Sequence, residues 1–576
     1  MSDAATSGAG GTTMPGGAAA SSAGSTAGAS VEERAAAAAR RHRLEVYHFA
    51  VAVAAFGLAS VMGVMQSLTR TGVHVPFQNE AVYYMSMTAH GVLMAIVFTT
   101  FFIMGLGYVL LRETLGRIEL EGLAWASWWV AVIGTAMTGV AIASGTSTVL
   151  YTFYPPLEAH WSFYLGATLV VVGSWGFCAV VIASYRAFRK ANPGRPVPLA
   201  VHGILTTVII WLLATTGLAV EDLTMLLPWS LGLVQKIDPL IARTWFWWFG
   251  HPLVYFWLLP AYVIWYTVLP RVAGGRLFSD QIARAVFVMF ILFSTPVGFH
   301  HQFGDPGIGA GWKLAHSVAT YIIIFPSLVT AFAVIASLET AGRIKGARGL
   351  FDWLGKLPWA DPLFASVALA MLTFAIGGFG GAINAAYAMN GMVHNTAFIQ
   401  GHFHLTVGTA VALTFLGACY WLLPRLLGRE LRFRRLAQAQ PYLWFAGMMM
   451  FSLTNHVTGL QGMPRRLFAV DYQGAAVARQ WQGLTELSAA GGVVLFLSSL
   501  CFLAVVVATA FWGRRIAPPP IELAVPLSAP TTTRGVWDRF GLWSIVAVVL
   551  IAAAYAYPIY HLYAMHRFGS VGYQPF

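Results

Sequence analysis

Long apolar windows, separated by short polar segments, recur along nearly the whole chain. A run of about 18 or more apolar residues is long enough to cross a bilayer as a helix. The pattern therefore predicts an all-α polytopic membrane protein with about 13 transmembrane helices. These predicted spans lie near residues 46–66, 83–111, 121–145, 161–184, 199–220, 243–270, 283–301, 314–338, 363–382, 392–424, 441–458, 487–512 and 540–562.

The windows follow one another without a soluble insertion, so they predict a single membrane domain over residues 44–566. Residues 1–43 precede it and are rich in Ala, Gly and Ser, a composition that predicts a disordered segment. Residues 567–576 form a short tail after the last span.

The composition supports a membrane protein and excludes an ordinary soluble one. Apolar residues make up 58% of the chain and charged residues only 10%, against about 25% charged residues in average chains. The three cysteines, Cys178, Cys419 and Cys501, share no CxxC spacing and predict neither a disulfide framework nor a thiolate metal site.

The net charge is +12, and the lysines and arginines are divided unevenly between the loops on the two sides of the membrane. With the N-terminus placed in the cytoplasm, 26 of the 34 lysines and arginines fall on the inner side and eight on the outer side. This asymmetry follows the positive-inside rule and predicts a cytoplasmic N-terminus and an outer C-terminus. The basic charge therefore indicates orientation, and no nucleic-acid partner is predicted.

Six histidines lie near the outer ends of predicted spans: His90, His251, His300, His301, His402 and His404. An ionisable residue inside a membrane is costly and by default marks a functional site. Any one of them could be a hydrogen-bonded packing residue, but six at one depth indicate a plane of bound metal.

The spacing of these histidines divides them. His402 and His404 are two residues apart, so on a helix they point about 200° away from each other and serve two different centres. His251 and Tyr255 are four apart and share one helix face. Adjacent His300 and His301 can join His251 around one ion, and three neutral imidazoles suit copper or iron.

Six segments around these residues carry a resemblance to a known family. They are YYMSMTAHGVLMAIVF, LYTFYPPLEAHW, FWWFGHPLVYFWLLPAY, STPVGFHHQFGDPGIG, VHNTAFIQGHFHLTV and MPRR. The segments occur in the same order as in the haem–copper oxygen reductases, and the chain resembles specifically catalytic subunit I of the B-type (ba-type) branch. The resemblance covers roughly residues 46–565 and implies the fold of that subunit in a multi-pass protein of a prokaryotic cell (inner) membrane.

The resemblance implies a cofactor for each histidine. His90 and His404 would ligate a low-spin haem of b type, and His402 a high-spin haem of a or o type. His251, His300 and His301 would hold the copper called CuB, with Tyr255 covalently linked to His251. The implied reaction is that of a cytochrome c oxidase: reduction of O2 to water, coupled to proton pumping.

The same resemblance assigns four residues of the outer loops to the haem propionates. Arg465 and Arg466 would pair with these carboxylates, a favourable geometry for arginine. His394 and Asn395 would line the same region. Relatives carry an acid where this chain has Asn390, and that departure puts a carboxylate proton-loading role there in doubt.

Protons need a path from the inner face. Tyr262 and Tyr266 fall on the helix face of His251 and Tyr255, and Ser327 and Thr330 share a stripe with His316 and Thr320 on the eighth span. The resemblance matches Tyr262, Tyr266, Ser327 and Thr330 to the K-type pathway. Packing of hydroxyl residues between membrane helices remains the alternative. Leu253 replaces the glutamate that ends a second pathway in the A-type branch, so a single pathway is expected.

Three other functions compete with oxygen reduction. A nitric oxide reductase shares the fold and the six histidines, but Leu253 and Tyr255 favour oxygen. A secondary transporter would need broken helices at the midplane and no haem. An electron carrier would not need the three copper histidines.

The sequence contains no CuA motif. The resemblance therefore implies a CuA-bearing subunit II, with a small further membrane subunit and a c-type cytochrome or other soluble electron donor as partners.

Overall fold

The structure, a computed structural model, describes residues 30–529, 531–565 and 567–574. The described chain is helical, with a few isolated β-bridges and no sheet. Twelve of its helices are long and apolar enough to cross a membrane. In chain order they are α2 (Arg43–Thr69), α3 (Glu80–Leu115), α4 (Glu121–Ala143), α5 (Trp161–Ala191), α6 (Leu199–Ser230), α7 (Pro239–Val272), α8 (Asp280–Gln302), α9 (Ala310–Ile344), α10 (Pro362–Ala385), α11 (Ala397–Leu427), α13 (Ala478–Trp512) and α14 (Phe540–Ala564).

The predicted span near 441–458 lies in a further long helix, α12 (Arg434–Leu460). It is less apolar than the other twelve because it turns polar side chains toward α13. Gln440 donates to Ser498 Oγ at 3.1 Å, and Asn455 donates to Ser488 Oγ at 2.8 Å. These bonds satisfy polar groups that lipid could not.

The N-terminal segment differs from its prediction. Val31–Arg41 forms a helix, α1, whose capping box is made by Ser30 and Glu33. Its Ala35 packs against Gly428 at the end of α11. The prediction of disorder up to residue 43 is thus wrong for the part that the structure describes, because an alanine run is an excellent helix former once it is capped. Residues 1–29 lie outside the described residues.

The C-terminal tail is held on the chain by a few contacts. Arg567 pairs with Asp238 at 2.7 Å, and Ser570 forms a β-bridge with Ile237. These contacts place residues 567–570 beside the start of α7, and Tyr573 forms a further β-bridge with Leu157.

Irregular backbone concentrates around the predicted sites. π-Helical segments follow His90 directly, at Val92–Phe98, and His404 closely, at Thr406–Val411. In α8 the α-helix ends at Ser294, and a 3-10 turn, Phe299–Gln302, then carries His300 and His301. Such local departures from α-helix are frequent at functional sites.

A buried charge network fastens the linker before α14 to α6 and α8. Arg284 of α8 donates to Asp280 at 2.7 Å and to Asp538 at 2.9 Å. His202 of α6 lies 3.4 Å from the same Asp538 oxygen. Burial alone would raise the pKa of Asp538, but its contact with His202 and the charge of Arg284 lower that pKa below its usual value.

This network makes stability depend on pH. We expect Asp538→Asn to lower the thermal midpoint at pH 7, with a loss of about 1.5–3 kcal/mol for a buried hydrogen bond to charge. The folded pKa lies below the unfolded value of about 3.9. The stabilisation is therefore complete above that value and is lost as pH falls through the folded pKa. Melting curves of both proteins should converge in acid. The exposed Asp471→Asn is the control, and a constant difference at all pH values would contradict the assignment.

Candidate metal centres

Three histidines converge near one end of the helix bundle. One ligand nitrogen from each of His251, His300 and His301 lies within 4.8 Å of the other two. Among the described residues this is the only group of three or more metal-binding side chains so arranged. α7 supplies the first, and the 3-10 turn after α8 supplies the other two.

Hydrogen bonds orient the His300 ring. The Thr320 hydroxyl donates to the His316 carbonyl at 2.6 Å and lies 3.0 Å from His300 Nδ1. Since that hydroxyl hydrogen is already used, His300 Nδ1 must be the donor to the Thr320 oxygen, which leaves Nε2 unprotonated. A partner of this kind fixes the tautomer of a metal-ligating histidine.

The other two rings are also held, with their free nitrogens turned inward. His301 stacks on Trp247, with ring centroids 3.7 Å apart and planes within 8°. The Nε2 atoms of His251 and His301 are buried and lack a hydrogen-bond partner. Buried polar atoms are costly unless they are satisfied. A copper ion would satisfy them, so these three residues fit the metal that the sequence predicts.

Tyr255 adjoins this cluster. Its ring centroid is 5.1 Å from that of His251, on the same face of α7, and it packs against Phe290 at 5.4 Å. Leu253, at the position where a glutamate would end a second proton pathway, is buried in the apolar core.

His90 and His404 face each other across a cavity of about 240 Å³. Their ring centroids are 6.5 Å apart and their planes differ by 13°. Each Nδ1 bonds a backbone carbonyl at 2.8 Å, that of Ala59 or Gln400, so each Nε2 is free to act as a ligand. A metal with bonds of about 2 Å to each nitrogen fits this separation. The cavity is large enough for many water molecules, so it also has room for a haem.

His402 points to the opposite side of α11. Its Nδ1 lies 2.9 Å from the Gly377 carbonyl of α10, whereas the His404 ring packs against Phe451 of α12. A Cβ at Gly381 would come within 3.1 Å of the His402 ring. His402 would thus hold a second haem, separate from the one between His90 and His404.

Two arginines, Arg465 and Arg466, line the cavity between His90 and His404. Arg465 donates to Asn395 Oδ1 at 3.0 Å, its Nε is buried without a partner, and Arg466 lies over the Tyr151 ring. Burial and the neighbouring Arg466 charge lower the pKa of Arg465 to about 10. The pair still carries its charge at neutral pH and therefore fits an anionic group in the cavity, such as a haem carboxylate.

His394 and Asn390 lie in the segment before α11. Burial and the charge of Arg465 lower the pKa of His394, which is therefore neutral at pH 7. Asn390 is buried and donates to the Asn384 carbonyl at 2.8 Å. Its side chain is used in a local hydrogen bond within the α10–α11 connection.

Tyrosines of α7 and hydroxyl side chains of α9 form two hydrogen-bonded pairs. Tyr262 donates to Ser327 at 3.4 Å, and Tyr266 donates to Thr330 at 2.8 Å. Thr330 in turn donates to the Pro326 carbonyl at 2.9 Å. Tyr255 and Tyr262 both pack against Phe290. The hydroxyls of α7 and α9 therefore form a polar seam on the side of α7 that carries Tyr255.

Sequence reasoning missed Trp247, the residue that stacks on His301. It lies four residues before His251, a spacing that puts both on one helix face and that the sequence contains. The backbone acceptors Ala59, Gly377 and Gln400 left no side-chain signal, because any residue has a carbonyl.

Comparisons with known proteins agree with this arrangement. Residues 43–494 match the family "Cytochrome C and Quinol oxidase polypeptide I". The chain is 43% identical to the "Cytochrome c oxidase subunit 1" of Thermus thermophilus, over 90% of this chain and 94% of that protein. It is 26% identical to the "Heme-copper oxidase subunit I+III" of Aeropyrum pernix, over 78% of this chain and 56% of that one.

A solved structure matches as well. The chain superimposes on a heme-copper terminal oxidase dimer determined by cryo-EM with a TM-score of 0.89 and 37% identity, over 92% of this chain and 94% of that one. The family resemblance and the fold drawn from the sequence are thereby confirmed, with twelve apolar spans and α12 in place of about 13. The chain belongs to the subunit I family of the haem–copper cytochrome c oxidases.

Proposed function

We propose that this chain reduces O2 to water at a high-spin haem and CuB, with electrons passed through a low-spin haem and the reaction coupled to proton pumping. The observation that carries the proposal is the buried trio His251, His300 and His301 with Tyr255 beside it. When bound, the haems and copper supply redox-active metal for the reduction, and the family implies both.

The residues have separate tasks in this proposal. The histidine trio holds CuB, His402 ligates the high-spin haem, and His90 with His404 ligates the low-spin haem. The Nδ1 partners of His90, His300, His402 and His404 fix those four rings and leave each Nε2 available as a ligand. The haem substituents, b for the low-spin site and a or o for the high-spin site, rest on the family resemblance.

Tyr255 acts as the proton and electron donor closest to the copper ligands, and its covalent link to His251 is part of the proposal. Arg465 and Arg466 neutralise the haem propionates, with His394 and Asn395 in the same region. Arg465 is held for this role by its bond to Asn395.

Protons reach Tyr255 from the cytoplasm along Tyr262, Tyr266, Ser327 and Thr330. The hydrogen bonds between α7 and α9 support this path. Buried Leu253 supports its being the single path, because a leucine side chain cannot carry a proton.

The proposed setting is a prokaryotic cell membrane. The charge asymmetry of the loops supports an N-terminus in the cytoplasm and a C-terminus outside. Subunit I of this family works with other subunits. We propose a CuA-bearing subunit II, a small further membrane subunit and a soluble electron donor such as a c-type cytochrome.

Oxygen and nitric oxide uptake by the purified enzyme, supplied with a reduced donor, tests the substrate. We expect complete consumption of O2 without accumulation of hydrogen peroxide. Turnover of nitric oxide with no oxygen uptake would overturn the proposal in favour of a nitric oxide reductase.

The proton path predicts a specific variant. Thr330→Val removes the hydroxyl that accepts from Tyr266 and should slow oxygen turnover at least about tenfold, with unchanged haem spectra. Thr330→Ser should restore most of the rate, because it restores the hydroxyl. Thr340→Val, on the same helix with a bond only to its own backbone at Ala336, is the control. Equal turnover in Thr330→Val and Thr340→Val would remove this hydroxyl from the path.

A further inference from the structure

Three arginines from different parts of the chain converge on a shallow groove at the inner end of the bundle. Arg189 closes α5, Arg195 lies in the connection to α6, and Arg534 belongs to the linker before α14. All three line one groove together with Asp538 and the packed aromatic pair Tyr185 and Phe540. The backbone N–H of Arg534 donates to the Gly194 carbonyl at 2.9 Å and joins the linker to the α5–α6 connection.

The positive charge of this groove is not neutralised within the described chain. None of the three guanidinium groups forms an ion pair with another described residue. Arg189 Nε is buried without a hydrogen-bond partner, and Arg534 bonds only the neutral Asp538 carbonyl oxygen. Asp538 also lines the groove, but its carboxylate is bound to Arg284, His202 and the Gly535 N–H. The groove therefore presents three guanidinium groups to an anion.

The position of the groove selects the kind of anion. It lies where α5 ends and α6 and α14 begin, at the interface between membrane and water. An exposed apolar stripe then runs along α14 from this end: Leu542, Ile545 and Val549 are 43%, 65% and 61% exposed and share one face. A ligand that fits both features carries a phosphate at one end and hydrocarbon chains at the other.

We propose that this groove binds the phosphate of an anionic diacyl phospholipid, whose acyl chains lie along the α14 stripe. Arginine recognises phosphate through its planar fork of donors, and basic pockets between membrane helices recognise anionic headgroups. The bound lipid joins α5, the α5–α6 connection and the linker before α14, and it adds to the hydrogen bonds that Arg534 and Arg284 already make between the last two. This proposal does not depend on the redox chemistry of the haems.

The test uses the purified, delipidated oxidase and three probes: phosphatidylglycerol, phosphatidylcholine and inorganic phosphate. We expect phosphatidylglycerol to raise the thermal midpoint and to remain bound through detergent washing, as counted by native mass spectrometry. Phosphatidylcholine and inorganic phosphate should do neither. The triple variant Arg189→Gln/Arg195→Gln/Arg534→Gln should bind phosphatidylglycerol at least about tenfold more weakly.

A matched variant controls for net charge. Arg348→Gln/Arg434→Gln/Arg435→Gln removes the same charge from other inner segments and should bind as wild type. Arg195→Gln alone, at an exposed side chain, keeps the test usable if the triple variant does not fold. Equal phosphatidylglycerol binding by wild type and both groove variants would overturn the site. Displacement of the lipid by millimolar inorganic phosphate would overturn the lipid assignment in favour of a free anion.

Discussion

Tyr255→Phe should retain both haems and the copper yet lose oxygen turnover by at least about a hundredfold, the scale of a lost positioned proton donor. The substitution removes only the hydroxyl. The ring that packs against Phe290 and adjoins His251 stays, so the metal ligands should keep their geometry. Absorption spectra with metal analysis report the first part of the prediction, and an oxygen electrode reports the second.

Tyr108→Phe is the matched control for this variant. Tyr108 is a buried intramembrane tyrosine, and its hydroxyl has no hydrogen-bond partner, so its loss should leave turnover unchanged. Wild-type turnover in Tyr255→Phe would remove the phenol from the mechanism. Loss of haem from that variant would show that Tyr255 has a structural role instead.

The second large effect separates the two haems. His404→Ala should abolish the low-spin haem spectrum while leaving a haem that binds CO, and His402→Ala should do the reverse. Their rings lie on opposite sides of α11, one facing His90 and the other anchored to Gly377. Both variants should lose oxygen turnover by more than about a hundredfold, because an axial ligand sets the potential of each haem.

Each of these two variants is the control for the other, since they truncate the same side chain two residues apart on one helix. Pyridine haemochrome analysis and CO-difference spectra distinguish the outcomes. If either variant lost both haems together, or if both lost the same one, the division of labour between His402 and His404 would be wrong.

The opposed roles of these two histidines were predictable because helical periodicity alone sets the angle between them. The same arithmetic put His251 and Tyr255 on one face, where the structure has them. Hydropathy was sufficient for the twelve apolar helices, because a membrane imposes length and apolarity on each helix that crosses it. It is a weaker guide to α12, whose polar side chains bond α13.

Other features could not be read from side-chain patterns. The carbonyls of Ala59, Gly377 and Gln400 that hold the histidine rings are backbone groups and leave no trace in the residue type. The 3-10 turn that brings His300 and His301 beside His251 arises from tertiary packing, including the stacking on Trp247. The prediction of disorder failed at Val31–Arg41 because it relied on composition alone. It took no account of the capping box of Ser30 and Glu33, which stabilises the start of this helix.

The central claim is that this chain holds two distinct haems and one copper in the arrangement described. The most direct test is a reduced-minus-oxidised spectrum and a CO-difference spectrum of the purified protein, with iron and copper counted in the same sample. The account predicts two haem irons per chain, of which one binds CO, and one copper beyond those of any CuA-bearing subunit. A haem-free preparation with intact ion transport would contradict it.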